Sequence, residues 1–181
     1  MNLKTNSFNH DKYIVILAFF TALTVSLYVL DNFIPKPLPF LKLGFANLII
    51  VFLIFNYYFK EALIISLSKI FLGGFLTGTL FSPTTLLSLT GTTFALVMMI
   101  FIRSIPIDFS ILGMSVIGAV FHNFGQLIMI RMILIKQNSI FYLIPVLTIL
   151  GIITGLITRY LADKFKGIFK TINRKISKGI T

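Results

Sequence analysis

The stretch "SVIGAVFHNFGQLIMI" (115–130) places an imidazole and two carboxamides among Val, Ile, Phe and Met. At about 100° per residue, a helix over 110–135 would gather its small and polar residues into an arc of roughly 140°. These residues are Ser115, Gly118, Ala119, His122, Asn123 and Gln126. Polar groups that face lipid are costly, because nothing there can accept or donate a hydrogen bond. The sequence therefore predicts that this face points into a helix bundle or a water-filled cavity.

Two interpretations of the polar face stay open. The side chains either tie neighbouring helices together, at about 0.6–2 kcal/mol per hydrogen bond, or line a cavity that binds a small molecule. Polar clusters inside a membrane commonly mark functional sites. In the second interpretation, His122, Asn123 and Gln126 line the inner end of the cavity, with Asn47 and Thr77 in its wall.

The composition is that of a membrane protein. The chain has 181 residues, of which 57% are hydrophobic, and a mean hydropathy of +0.98, whereas soluble domains are about 45–50% apolar. Six apolar runs approach the roughly 20 residues that cross a bilayer. They cover 13–34, 43–59, 62–81, 84–102, 110–135 and 140–162. The connections between them are short, so we expect one compact all-α bundle of six transmembrane helices.

The basic residues predict the orientation of the bundle. With the N-terminus inside, eleven Lys and Arg residues fall on the cytoplasmic side and three outside, which is the bias of multi-pass bacterial membrane proteins and places both termini in the cytoplasm. The excess of basic residues on so apolar a chain argues against nucleic acid as a partner. We divide the chain into a transmembrane domain, 1–162, and a basic amphipathic tail, 163–181, that lies on anionic lipid or docks on a cytosolic partner.

The sequence lacks the residues of the common catalytic and cofactor sites. It has no Cys, and no two acidic residues lie within nineteen positions of each other, so the carboxylate clusters of magnesium-dependent prenyl transfer are missing. No Gly-rich loop ends in Gly-Lys-Ser/Thr, and the two His form no metal motif. We expect no enzyme activity, no metal and no cofactor. A transport function would need an external source of energy.

Small residues recur at helical spacing in several spans. Ala18, Ala22 and Ser26 form a stripe on the first span, and two GxxxG pairs, Gly74/Gly78 and Gly151/Gly155, fall in the third and sixth. Small residues let helix backbones approach closely in lipid. By itself, each motif predicts packing within the bundle.

Lys69 lies inside the third span, on one arc with Ser66, Gly73 and Thr77. A Lys at that depth costs about 2.5–3.5 kcal/mol on insertion scales. It either extends toward the cytoplasm or has a polar partner. Asp31 is the one acidic residue near the apolar core, and it stands at the outer end of the first span, so no Lys69–Asp31 pair is assumed.

Four segments together resemble a known family. They are "LAFFTALTVSLYVLDNFIPKPLPFLKLGFANL" (17–48), "KIFLGGFLTGTLFSP" (69–83), "LSLTGTTFA" (87–95) and "VIGAVFHNFGQ" (116–126). They resemble the Gx transporter family, also named heptaprenyl diphosphate synthase component I, and through it the substrate-binding S components of energy-coupling factor transporters. The resemblance covers residues 13–162.

The resemblance implies a subunit that binds a small molecule from outside, beneath the segment 35–42, and works with a transmembrane coupling protein and a cytosolic ATPase pair. It implies docking through Ala18 and Ala22, and gives weight to Lys69 and Lys42 as substrate-binding residues. The substrate would be an isoprenoid or quinone precursor, or a vitamin. The alternative is a non-catalytic membrane subunit of heptaprenyl diphosphate synthase. A structural subunit of a redox complex is a third interpretation.

Overall fold

A computed structural model describes residues 3–34, 46–56, 58–107, 109–133 and 138–178. Within these ranges the fold is all-helical, as predicted, and no residue is in a strand. The helices are α1 (Leu3–Phe33), α2 (Asn47–Phe55), α3 (Phe59–Leu76), α4 (Pro83–Ser104), α5 (Ile111–Ile133) and α6 (Ile144–Lys178), with a 3₁₀ helix over Asn138–Leu143 before α6.

Four segments are long and apolar enough to cross a bilayer: Tyr13–Phe33, Pro83–Ser104, Ile111–Ile133 and Phe141–Leu161. The other two helices do not meet that description. The α2 helix has nine residues, about 13.5 Å of rise, against an apolar core of about 30 Å. The α3 helix carries three charged residues, Lys60, Glu61 and Lys69. Six complete spans therefore remain a prediction for α2 and α3.

The α2 helix is the centre of the bundle. Every residue from Asn47 to Ile54 is buried, and the helix contacts each of the other five. A helix that is apolar on all sides is stable only when it is enclosed. At its C-terminal end, the Arg103 Nε donates to the Phe55 carbonyl oxygen at 3.1 Å, and the guanidinium lies 5.0 Å from the Phe55 ring centroid. Because helix C-termini carry partial negative charge, Arg103 stabilises this end.

Glycines bring α4, α5 and α6 together. Gly91 of α4 and Gly125 of α5 meet at one crossing, where a Cβ on Gly125 would lie 3.1 Å from the Gly91 Cα. On the other side of α5, Gly151 and Gly155 of α6 pack against the Val120 and Val116 backbones. The predicted internal packing of this GxxxG pair is confirmed.

The prediction that Gly74 and Gly78 form a GxxxG packing surface on one helix is wrong. The α3 helix ends at Leu76, and Gly78 lies in the turn beyond it, with φ of 67° and open space around it. Gly78 therefore serves the turn, since few other residues adopt that backbone conformation. Gly74 packs against Leu80 and Thr85 within the same turn region.

The α1 helix is peripheral and contacts α3 and α2. It runs parallel to α3. The Tyr13 hydroxyl donates to Glu61 Oε1 at 3.1 Å near the start of α3, and Tyr28 lies against Gly73 nearer the ends of both helices. The α6 helix continues past the predicted boundary at 162/163 without a break. Its side chains beyond Lys164 lie outside those described, so the amphipathic tail stays a prediction.

Candidate functional site

The polar face of α5 meets α4 at Gly91. His122 is 3% exposed and Gln126 is fully buried, and their side-chain nitrogens are 2.6 Å apart. An amide NH₂ can only donate, so the imidazole Nε2 accepts. A Cβ on Gly91 would lie 2.8 Å from the His122 carbonyl oxygen and 2.9 Å from Gln126 Cγ. The absence of a side chain at Gly91 is therefore what lets this pair lie against α4.

Asn123 belongs to a different side of α5. Its Nδ2 donates to the Leu147 carbonyl oxygen of α6 at 2.9 Å. It also borders an apolar cleft of about 190 Å³ between α5 and α6, together with Phe121 and Phe124. The structure thus separates Asn123 from His122 and Gln126. The bond to Leu147 is an interhelical tie of the kind that the first interpretation of the polar face describes.

Lys69 has a polar partner inside the bundle. It is 2% exposed, and its Nζ donates to the Oδ1 of Asn47. Asn47, the first residue of α2, is 5% exposed. Of the two possibilities for Lys69, the structure shows the internal partner and not an extended side chain that reaches the cytoplasmic surface.

Tyr28 lies between α3 and α4, and sequence reasoning did not find it. Its hydroxyl donates to Ser88 Oγ at 3.3 Å, and its ring lies against Gly73, about one helical turn from Lys69. Ser88 in turn is one turn from Thr92. The available signal was a tyrosine facing the small residues of α3 and α4, which needs a hydrogen-bond partner when buried.

We call this set of buried side chains from five helices the polar core. It comprises Tyr28, Asn47, Lys69, Ser88, Thr92, His122 and Gln126. Asp31, one turn beyond Tyr28, is buried as well, at 2% exposed. The arrangement is rich in hydrogen-bonding groups. Among the residues described, no cluster of three His, Asp or Glu side chains could hold a metal ion.

The sequence matches one family model, heptaprenyl diphosphate synthase component I, over residues 20–165. The chain belongs to this family. The matched range contains every residue of the polar core. Together with the four apolar spans, the match indicates a membrane protein of this family. No curated protein and no solved structure matches the chain.

The other predicted site residues are Thr77, Lys42 and the three small residues of α1. Thr77 lies just past the end of α3, where its hydroxyl donates to the Gly73 carbonyl oxygen and bonds Thr79 Oγ1, both at 2.8 Å. The structure does not bring Thr77 to His122 by any of these contacts. Lys42 lies outside the described residues. The predicted docking residues Ala18, Ala22 and Ser26 are all exposed on α1.

The Thr92→Val substitution tests whether the buried Thr92 hydroxyl lowers the stability of the ligand-free protein. Its Oγ1 is buried and has no hydrogen-bond partner among the described residues. Thr92→Val keeps the shape and removes the hydroxyl, so we expect the ligand-free protein to gain about 1 kcal/mol. Chemical denaturation in detergent measures the change.

The matched control for Thr92 is Ser88→Ala, which removes a hydroxyl that accepts from Tyr28. That change deletes a hydrogen bond that the structure shows and should cost about 0.5–1.5 kcal/mol. A Thr92→Val variant that is destabilised like Ser88→Ala would show that the Thr92 hydroxyl is satisfied in the ligand-free protein.

Proposed function

We propose that this protein is the substrate-binding membrane subunit of an energy-coupling factor type uptake transporter for a small molecule. The observation that carries the proposal is the polar core. Seven polar side chains from five helices are each nine-tenths or more buried in a chain whose composition is otherwise strongly apolar. A bundle that needed only to be stable would gain nothing from a buried Lys.

Unsatisfied hydrogen-bonding groups support binding at this place. Buried polar atoms in proteins are nearly always paired. In the described part of the chain, both Asn47 Nδ2 and Thr92 Oγ1 are buried without a hydrogen-bond partner. An acceptor atom of a ligand would satisfy Asn47 Nδ2, and a polar ligand atom beside Thr92 would satisfy its hydroxyl. Sites for small molecules combine apolar walls with a few such polar groups.

The exposed stripe on α1 supports a partner in the membrane. Ala18, Ala22 and Ser26 lie on a face that no other described helix covers. Elsewhere in the bundle, small residues at this spacing are covered by a neighbouring helix, as Gly151 and Gly155 are by α5. The stripe therefore suits a helix of the coupling protein, which would join the chain to an ATPase pair. We place the assembly in the bacterial cytoplasmic membrane.

The alternative is a non-catalytic membrane subunit of heptaprenyl diphosphate synthase. The description of the family model favours it, because it names a component of that enzyme. In that case the polar core would hold the product or a lipid, and the α1 stripe would contact the synthase. Restoration of prenyl synthase activity by the purified membrane subunit would support this alternative over transport.

Alanine substitutions of Gln126 and Asn123 distinguish a role in substrate binding from a role in helix packing. Gln126 lies in the polar core, so Gln126→Ala should weaken substrate binding by about 1–2 kcal/mol, the cost of one lost hydrogen bond. Asn123 ties α5 to α6 through Leu147, so Asn123→Ala should lower the melting temperature and keep the affinity. Ligand titration gives the affinity of each variant, and thermal unfolding gives its melting temperature.

The opposite pattern would contradict the binding role of Gln126. If Gln126→Ala lowers the melting temperature without ligand and keeps the affinity, then the His122–Gln126 pair serves only to hold α5 against α4. Native mass spectrometry of the purified protein identifies the substrate to use in this titration, since a carried-over ligand shows its mass directly.

A further inference from the structure

A second cleft lies between α1, α2 and α3, at the end of the bundle where α3 begins, and has a volume of about 250 Å³. We infer that this cleft binds an organic ammonium group on a short apolar stem, with the Glu61 carboxylate as its counter-ion. The cleft is separate from the polar core, and the inference does not rest on the proposed function. The polarity, charge and aromatic lining of the cleft carry it.

The cleft has a polar end and an apolar end. Tyr13 stands at the start of the first apolar span and Glu61 in the first turn of α3, and the Tyr13 hydroxyl donates to Glu61 Oε1 at 3.1 Å. About one turn further along the same two helices, the residues that line the cleft are Leu17 and Ile65. A molecule with one charged end and one apolar end would match both parts of the cleft.

Glu61 gives the polar end of the cleft a negative charge. The chain has sixteen Lys and Arg residues against five Asp and Glu, yet within the described ranges the Glu61 carboxylate accepts from the Tyr13 hydroxyl and forms no ion pair. A carboxylate has about four lone-pair positions, so further donors can bind. In surroundings less polar than water, the attraction between opposite charges is stronger. The half-buried Glu61 therefore favours a cation in the cleft.

Aromatic rings in the walls favour an organic cation. Tyr13, Phe20, Phe52 and Tyr58 all line the cleft, and the ring centroids of Phe20 and Phe52 are 6.4 Å apart at an interplanar angle of 40°. The face of an aromatic ring is electronegative and attracts an ammonium group, which is how aromatic cages recognise choline and methyl-lysine. Four aromatic residues and one carboxylate thus combine the two groups that bind an alkylated ammonium.

The size and exposure of the cleft suit a small amine or the head group of a lipid. An apolar cavity of about 150 Å³ holds benzene, so this larger cleft has room for an ammonium group and a stem of several carbons. Tyr13 is 43% and Tyr58 46% exposed, so the cleft opens at the surface of the bundle. Glu61 lies eight positions before Lys69 on α3, about 12 Å along the helix, which keeps the cleft apart from the polar core.

Four probes with one stem and different head groups test the inference. Butylamine, butyltrimethylammonium, butanol and butyrate would be titrated into the full chain in micelles of an uncharged detergent, with binding read by thermal shift and by native mass spectrometry. We expect the two cations to bind and to raise the melting temperature, and butanol and butyrate to bind at least about tenfold more weakly, a difference of about 1.4 kcal/mol.

Glu61→Gln is the decisive variant, because the glutamine oxygen can still accept from the Tyr13 hydroxyl while the charge is lost. Both cations should lose at least about tenfold in affinity, and the melting temperature without probe should equal that of the wild type. The control is Lys60→Gln, which removes one charge from the neighbouring, exposed position of α3. Because salt screens exposed charges, this variant should bind both cations within about threefold of the wild type.

Phosphatidylethanolamine distinguishes the two sources of an ammonium group. If this lipid, added to the micelles, displaces butylamine from the wild type, then the cleft holds a lipid head group. If butylamine binds and the lipid does not compete, then the cleft takes a free amine. Both results retain the ammonium site.

Two results would overturn the inference. Equal affinities of the wild type for butanol and butylamine would do so without any variant. Cation binding that Glu61→Gln leaves unchanged would do so as well, because the carboxylate would then take no part and the Tyr13–Glu61 bond would serve only to hold α1 against α3.

Discussion

Leucine in place of Ala18 or Ala22 should weaken the binding of the proposed coupling protein while the bundle stays folded. Both residues are exposed on α1, so the larger side chain has room among the described residues. It would stand where a partner helix has to approach closely. We expect recovery of the coupling protein with the tagged chain to fall by at least about tenfold, since the loss of about 1.4 kcal/mol suffices for that.

The control for the α1 stripe is Thr93→Leu, which places the same side chain at an exposed position on α4. This variant should recover the coupling protein as the wild type does. If Ala22→Leu also retains its partner, the stripe is not the docking surface. Melting temperatures of all the variants show whether each change acts through folding.

A methyl group at Gly91 should strongly destabilise the bundle. The Cβ of Gly91→Ala would lie 2.8 Å from the His122 carbonyl oxygen, and a backbone atom of a packed helix cannot rotate away. The α4 and α5 helices would have to separate. The loss should reach about 1–3 kcal/mol or more, although alanine favours a helix over glycine by about 1 kcal/mol. Reversible unfolding in mixed detergent micelles measures it.

Gly113→Ala is the control for Gly91. This glycine is also helical, but the nearest atoms to its Cβ would be 3.6 and 3.7 Å away, on Phe109 and Ser110. With ordinary contacts and a better helix former, Gly113→Ala should be neutral or gain up to about 1 kcal/mol. Similar effects of the two substitutions would show that the Gly91 crossing does not hold α4 to α5.

The burial of the polar face on α5 could be predicted from the sequence, because lipid offers no partner to a carboxamide or an imidazole. Periodicity placed His122 and Gln126 on one face, and both are buried. The direction of Asn123 could not be predicted. Whether a residue within the arc turns to one neighbour or the other depends on where α4 and α6 cross α5, and those crossings are set by Gly91 and by the Gly151/Gly155 pair.

The α2 and α3 helices show a second limit of prediction from the sequence. The apolar run 43–59 has nearly the length of a span, yet the described helix is Asn47–Phe55. Hydrophobicity does not distinguish a helix surrounded by lipid from one surrounded by other helices. Gly78 shows the same limit for motifs, since a GxxxG spacing predicts a packing surface only if both glycines belong to one helix.

The pairing of Lys69 with Asn47 was beyond sequence reasoning, although both residues were predicted to belong to the site. They are 22 positions apart, and the pairing depends on where α2 begins. The contact depends on how α2 and α3 pack against each other, which no local pattern of residues predicts.

Affinity purification of the tagged protein from its native membrane in mild detergent, with every partner quantified by mass spectrometry, tests the proposed role as the substrate-binding subunit of a transporter. We expect equimolar recovery of one transmembrane coupling protein with a pair of ATPase subunits, and loss of both in the Ala22→Leu variant. Equimolar recovery of a soluble prenyl diphosphate synthase, without a coupling protein or ATPases, would contradict it.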